Sequence, residues 1–139
     1  MGSSRESRAD PLGEPMTQNF EVRPWGSWQV LDTGEGWKAK RIDVLPGQRL
    51  SYQTHEFRAE HWVVVSGTAT CIIEGETVIA RPGEFVVVPV GAAHRITNAH
   101  DEDLVIVEIQ MGSYTGEDDI VRLQDDYGRE ALAEDSPRG

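Results

Sequence analysis

From Gly26 to Gln110 the chain is a succession of short runs rich in Val, Ile, Thr and aromatic residues, cut by Gly, Pro, Asp or Asn about every 8 to 12 residues, and no other feature limits its fold as much. GSWQVLD, WKAKRIDVL, RLSYQTHE, HWVVVSG, TATCIIEG, ETVIARPG, EFVVVPVG, HRITNA and DLVIVEIQ each read as a strand. IIEGETVI predicts a hairpin about Glu74 and Gly75, and PGEFVVVP places Gly83 in a turn before a buried strand. Such spacing points to an all-β sandwich or barrel. A chain of 139 residues supplies one domain and one core.

The two ends lack this pattern. Residues 1 to 18, MGSSRESRADPLGEPMTQ, have little to bury, so a mobile tail is expected there, with Met16 as an alternative start. REALAEDSPRG is charged and ends on Pro and Gly, which predicts a second mobile tail over 130 to 139 after a short helical turn. The domain itself then runs from 19 to 129. No segment is a signal peptide or a membrane span by composition, and the net charge of -11 opposes contact with nucleic acid or anionic membrane surfaces. One cysteine, Cys71, allows no internal disulfide, so the cytoplasm is the expected compartment.

Chemistry concentrates in QTHEFRAEHW, where two of the four histidines stand within ten residues. Alternation along a strand puts Gln53 and His55 on one face, and after a reversal through EFRA, Glu60, Trp62 and Val64 can face the same interior. His94, delivered by the Pro89 and Gly91 turn of PVGAAHRITN, is a fourth donor. Two imidazoles, a carboxylate and an amide oxygen suit a divalent cation such as zinc, iron, manganese, cobalt or nickel.

These same stretches follow two motifs in register. GQRLSYQTHEFRAEHWVVVSG, Gly47 to Gly67, resembles the first cupin motif, G-x5-HxH-x4-E-x6-G, with Gln53 at its first His. GEFVVVPVGAAHRITN, Gly83 to Asn98, resembles the second, G-x5-PxG-x2-H-x3-N, and 15 residues separate the two. The resemblance implies an all-β small cupin barrel, a double-stranded β-helix or jelly roll, with the metal inside. RPWGSWQVLDTGEGWKAKRI, PGQRLSYQTHEFRAEHWVVVSGTA and GSYTGEDDIVRLQDDYGR look further like the C-terminal cupin domain of type II phosphomannose isomerases, over about Val22 to Arg129. That domain usually follows a guanylyltransferase domain, whose nucleotide-binding Gly-rich signature is missing here, so the chain looks like a free-standing isomerase domain.

The family's metal set falls on Gln53, His55, Glu60 and His94, which implies one divalent ion, zinc first. Arg58 in RAEHW matches the family's arginine for isomerisation. Where the family commonly has HHHRAEHW this chain has HEFRAEHW, and QMG stands in place of QSG. The implied reaction interconverts mannose 6-phosphate and fructose 6-phosphate through an enediolate. Glu56, His61 and a metal-bound hydroxide are the candidates for the proton-moving base. The alternatives are another metal-cupin enzyme on a sugar or small acid, and a cupin that binds sugar without turnover.

A sugar phosphate needs cations inside an acidic protein. Lys38 and Lys40 share a strand face, Arg49 and Ser51 share the face of Gln53, and Arg95 flanks the second motif. Arg49 is favoured, because its parity would otherwise leave an unpaired charge inside. Tyr114 is a lid by family resemblance. GEDD, Gly116 to Asp119, is expected to be a solvated turn or a helix cap, and His100 a surface loop residue. The tryptophans before Lys38 are expected to fill the barrel end or to serve a homodimer contact.

Overall fold

The computed structural model describes residues 19–127. Both predicted tails, the helical turn in REALAE and residues 128 and 129 lie outside that range. Eleven strands follow in order: β1 (Phe20–Arg23), β2 (Gly26–Gly34), β3 (Trp37–Val44), β4 (Tyr52–Thr54), β5 (Arg58–Ser66), β6 (Ala69–Ile73), β7 (Glu76–Ala80), β8 (Phe85–Val88), β9 (His94–Thr97), β10 (Leu104–Gly112) and β11 (Val121–Gln124). All pairings are antiparallel and form two sheets, one ordered β1-β2-β3-β10-β5-β8 and the other β11-β4-β9-β6-β7. Among the described residues no helix is long and apolar enough to cross a membrane.

Period-two alternation decides what enters the barrel. Along β10, Leu104, Ile106, Glu108 and Gln110 are buried while Val105, Val107 and Ile109 are half-exposed on the outer face. Along β5, Arg58, Glu60, Trp62 and Val64 point inward. Register sets these residues in rows: Lys40 faces Glu108, which faces Trp62, and Lys38 faces Gln110, which faces Glu60. The apolar half of the interior is Trp25, Trp28, Ile42, Val44, Trp62, Val64, Cys71, Val88, Ile96, Leu104 and Ile106. Burial pushes the Cys71 thiol up to about 12, so it packs as an inert hydrophobe.

The motif residues that do not carry chemistry hold the frame. Gly67 turns at φ 83, and a Cβ there would overlap the carbonyl oxygen of Asp103. Asn98, fully buried, donates to the carbonyls of Val44 at 3.0 Å and Glu102 at 2.7 Å, tying the end of β9 to the facing sheet.

Two edge strands, β1 and β11, fall outside the nine predicted runs. Each is only four residues long, and in β11 the alternating Val121 and Leu123 are exposed, so the strand is held by its ladder to β4 and not by a buried face. The aromatic segment before Lys38 packs on its own barrel: Trp25 and Trp28 are buried, and the Lys40 ammonium lies 4.1 Å from the Trp28 ring centroid. Trp37, the third tryptophan before Lys38, stays exposed. Exposed apolar side chains also stand on the outside of the larger sheet, at Val63, Val65, Phe85 and Val87.

Candidate metal centre

Two sheets bring the predicted donors together. β5 points Glu60 inward, and the β4–β9 pairing sets Gln53 opposite His94. His55 occupies the corner after β4, where its carbonyl accepts from Gly91 N at 2.9 Å. Gly91 has φ 83, a conformation that costs glycine little, so the turn that delivers His94 is anchored to the residue carrying the other imidazole. One donor atom from each of His55, Glu60 and His94 lies within 4.8 Å of the others, and all three side chains are buried.

Backbone acceptors fix the imidazoles. His55 Nδ1 is 2.6 Å from the Asp119 carbonyl oxygen and His94 Nδ1 is 2.9 Å from that of Ala92. A carbonyl only accepts, so both Nδ1 atoms carry hydrogen and both Nε2 atoms keep a lone pair. Those lone pairs face Glu60, with Nε2 of His55 3.2 Å from Oε2 and Nε2 of His94 3.9 Å from Oε1. Burial lowers both imidazoles below their ordinary pKa; for His55, Arg58 and His94 add to it and take the value to about 4. At neutral pH both rings are in the form that ligates a metal.

The remaining donors are also oriented. Gln53 donates its Nε2 to Ser51 Oγ at 2.8 Å and to the Ser51 carbonyl at 3.3 Å, which leaves the amide oxygen as acceptor. Glu60 receives Arg58 Nε on Oε2 and Trp62 Nε1 on Oε1, each at 2.8 Å. Arg58 Nη2 lies 3.3 Å from His55 Nε2, and Nη1 donates to the Gly116 carbonyl at 3.3 Å. An ion on His55 would use the same lone pair as Nη2, whereas the Arg58–Glu60 bond is compatible with an ion. Two neutral imidazoles, a carboxylate and an amide oxygen around one space fit a divalent cation.

The cluster opens into a cavity of about 340 Å³. Of the predicted residues, Lys40, Ser51, Gln53, His55, Arg58, Glu60, His94 and Arg95 line it. Five cationic side chains, Arg23, Lys40, Arg58, Arg95 and Arg122, meet four carboxylates, Glu21, Glu60, Glu108 and Glu117. In a chain of net charge -11 the cavity is thus locally cationic.

Several predicted residues stand elsewhere. His61 points out of the barrel, stacked on Phe85 with ring centroids 6.4 Å apart, because it alternates with Glu60. Glu56 is exposed at the outer corner, and Tyr114 joins Asp118 at 2.6 Å beside Phe57. Both line a separate surface depression and not the metal cavity. Arg49 is exposed and forms a two-point pair with Asp126 at 2.8 and 2.9 Å, so its charge is answered outside. Lys38 does not line the cavity; it bonds Glu117 at 3.0 Å.

Other residues join the site without having been expected. Glu108 is buried, accepting from Gln110 Nε2 at 2.8 Å and Trp62 Nε1 at 3.2 Å, and burial together with Glu60 raises its carboxyl to about 7. Its place in DLVIVEIQ, on the same face as Leu104 and Ile106, is the signal for a buried polar group. GEDD forms the expected turn, with Glu117 and Asp118 exposed and Asp119 N–H bonded to the Gly116 carbonyl at 3.2 Å, but its last residue turns inward. Asp119 is buried, its carboxylate accepts the backbone N–H of Glu56 and Phe57 at 2.8 and 2.9 Å, and its carbonyl holds His55. Burial alone would raise the Glu117 carboxyl, but Lys40 and Lys38 outweigh it and bring it to about 2.

Comparison with known proteins agrees with this architecture. A Klebsiella pneumoniae protein with a double-stranded β-helix domain superposes with a TM-score of 0.63 at 19% identity, covering 78% of this chain and 93% of that one. The alginate biosynthesis protein AlgA of Pseudomonas aeruginosa is 48% identical over 124 residues, 88% of this chain and 26% of its own. The mannose-1-phosphate guanylyltransferase ManC of Salmonella typhimurium is 48% identical over 122 residues, 88% of this chain and 25% of its own. This chain thus spans about a quarter of the length of these curated relatives. The model of the mannose-6-phosphate isomerase C-terminal family matches residues 14–125. With a cupin fold and that match over most of its length, the chain belongs to the mannose-6-phosphate isomerase C-terminal family.

Proposed function

We propose that this domain is a metal-dependent aldose–ketose isomerase acting on mannose 6-phosphate and fructose 6-phosphate. The observation that carries the reading is the donor set itself: His55, Glu60 and His94 converge beside Gln53, and Arg58 is hydrogen-bonded to the same carboxylate in a cationic cavity. A divalent ion held by these four residues, zinc first, would supply Lewis acidity toward the sugar's oxygens. Gln53, as a neutral ligand, leaves one carboxylate against the dication and so preserves that acidity.

The chain's own groups account for the rest. A base takes the proton from carbon 2 of the open-chain aldose and returns it to carbon 1, while the hydroxyl proton on oxygen 2 passes to oxygen 1. Glu108 is our candidate for this shuttle: it lines the cavity beside Glu60, accepts only N–H donors on its two oxygens, and both other named side chains lie outside. Negative charge builds on oxygen in the enediolate. The Arg58 guanidinium, held by Glu60 and Gly116, is positioned to stabilise that charge more than the ground state.

A coupled assay of metal-loaded protein on mannose 6-phosphate tests the reading. Turnover is expected, and Arg58→Ala should cut it roughly a hundredfold at unchanged metal content, with Arg58→Lys recovering part of it. A protein that gives neither conversion nor exchange of the carbon 2 proton with deuterated solvent would be a sugar-binding cupin instead.

A further inference from the structure

Lys38 and Lys40 stand two apart on the inward face of β3, and both point their ammonium groups at one carboxylate. Glu117 Oε2 is 3.0 Å from Lys38 Nζ and 3.1 Å from Lys40 Nζ, and Oε1 is 3.0 Å from Lys40 Nζ. The lysine side chains are 13% and 7% exposed, against 42% for Glu117. The cations therefore belong to the barrel wall, and the anion reaches them from outside on the loop between β10 and β11. Glu108, across from Lys40 on β10, is already engaged by Trp62 and Gln110.

We propose that Glu117 is a built-in stand-in for a phosphoryl group: it neutralises the Lys38–Lys40 pair while the cavity is empty of ligand, and a phosphate dianion displaces it, lifting the tip of the loop. Two ammonium groups close enough to share one carboxylate oxygen repel each other unless an anion lies between them. A monoanionic carboxylate answers one of the two charges; a dianionic phosphate answers both and offers more acceptor oxygens. The loop is built for partial release. Its Asp119 end is fastened by the His55 ring and by two backbone N–H groups, while Glu117 is held by ion pairs and the preceding Gly116 by two long bonds on its carbonyl, 3.3 Å from Arg58 and 3.2 Å from the Asp119 N–H. Opening at Glu117 thus frees the Arg58 Nη1 donor and leaves the support of His55 in place. The inference rests on the sugar-phosphate reading of the cavity and adds to it which cations take the phosphate and what must leave first.

The experiment is calorimetric titration of the full chain with inorganic phosphate, which requires no turnover. Breaking the Glu117 contacts weakens wild-type binding by the fraction of open molecules, so Glu117→Gln should tighten phosphate binding on the order of tenfold. Lys40→Gln should abolish that gain in the double variant. Amide hydrogen exchange at Asp119, whose N–H closes the turn on the Gly116 carbonyl at 3.2 Å, should rise when phosphate is added to the wild type. Unchanged or weaker binding by Glu117→Gln, tightening that survives Lys40→Gln, or unchanged exchange at saturating phosphate would each overturn the proposal. Isomerase assays on the same samples separate its failure from that of the catalytic reading: tightened phosphate binding without conversion leaves the anion switch standing, and conversion with unchanged binding removes the switch alone.

Discussion

The cavity holds two charged clusters, and the chain secures them in opposite ways. At His55, Glu60 and His94 each side chain is buried and fixed by the carbonyls of Asp119 and Ala92, the Trp62 indole and the Arg58 guanidinium. At Lys38, Lys40 and Glu117 the cations are rigidly borne on β3, while the anion is a half-exposed side chain on a loop. A buried carboxylate with fixed donors resists rearrangement, because any donor it loses stays unsatisfied in a dry interior. An exposed carboxylate exchanges its partners for water or for another anion at small cost. On the proposed reading, the first cluster holds one ion and the second trades one anion for another.

The largest effect should come from removing the imidazoles. His55→Ala with His94→Ala is expected to reduce bound divalent metal from about one ion per chain to almost none by elemental analysis, since a carboxylate and an amide alone make a poor site. Glu117→Gln should retain the full complement. If instead the histidine variant keeps its metal, or Glu117→Gln loses it, the division into two independent clusters breaks.

A smaller change sharpens the same contrast. Ser51 hydrogen-bonds Gln53 and neither the imidazoles nor the lysines. Ser51→Ala should lower metal affinity by about tenfold, the usual size of an effect from a residue that orients a ligand, and leave phosphate affinity unchanged. Equal metal affinity would show that the strand alone positions Gln53.

The two clusters also differ in how legible they are in the sequence. Gln53, His55, Glu60 and His94 stand at motif spacings on strands or strand ends, where alternation alone predicts which way each points, and the same rule put His61 outside. Glu108 and Gln110 were equally accessible to that rule: polar residues on the buried face of an apolar strand. Glu117 and Asp119 were not. Their roles depend on where a loop between β10 and β11 crosses the barrel mouth, and nothing local in GEDD distinguishes a carboxylate that meets lysines 77 and 79 positions away from one facing water. Arg49 misled for a related reason: its parity with Gln53 holds only on a continuous strand, and regular pairing begins at Tyr52, leaving Arg49 free to turn outward to Asp126.

The smallest expected effect lies in acid. Glu117 has its folded pKa lowered to about 2 by the two lysines, against 4.5 for an unperturbed glutamate, so between those values the unfolded chain binds the extra proton. The contribution of Glu117 to stability is then complete above about pH 4.5 and is lost as the pH falls toward 2. His55, lowered to about 4 from 6.5, acts in a higher window: the unfolded chain takes up its proton first as the pH drops below 6.5, and the folded state weakens down to about pH 4. Both proteins of a wild-type and Glu117→Gln pair carry the imidazoles, so both should lose stability together between pH 6.5 and 4.5, with a constant gap between their denaturant midpoints in the presence of a chelator. Below pH 4.5 the gap should close. Because the Glu117 side chain is 42% exposed and its ion pairs are screened, the gap itself should be modest. A gap that already narrows between pH 6.5 and 4.5 would mean that the loop anion feels the charge of the imidazoles, and the cavity would then behave as one coupled cluster rather than two.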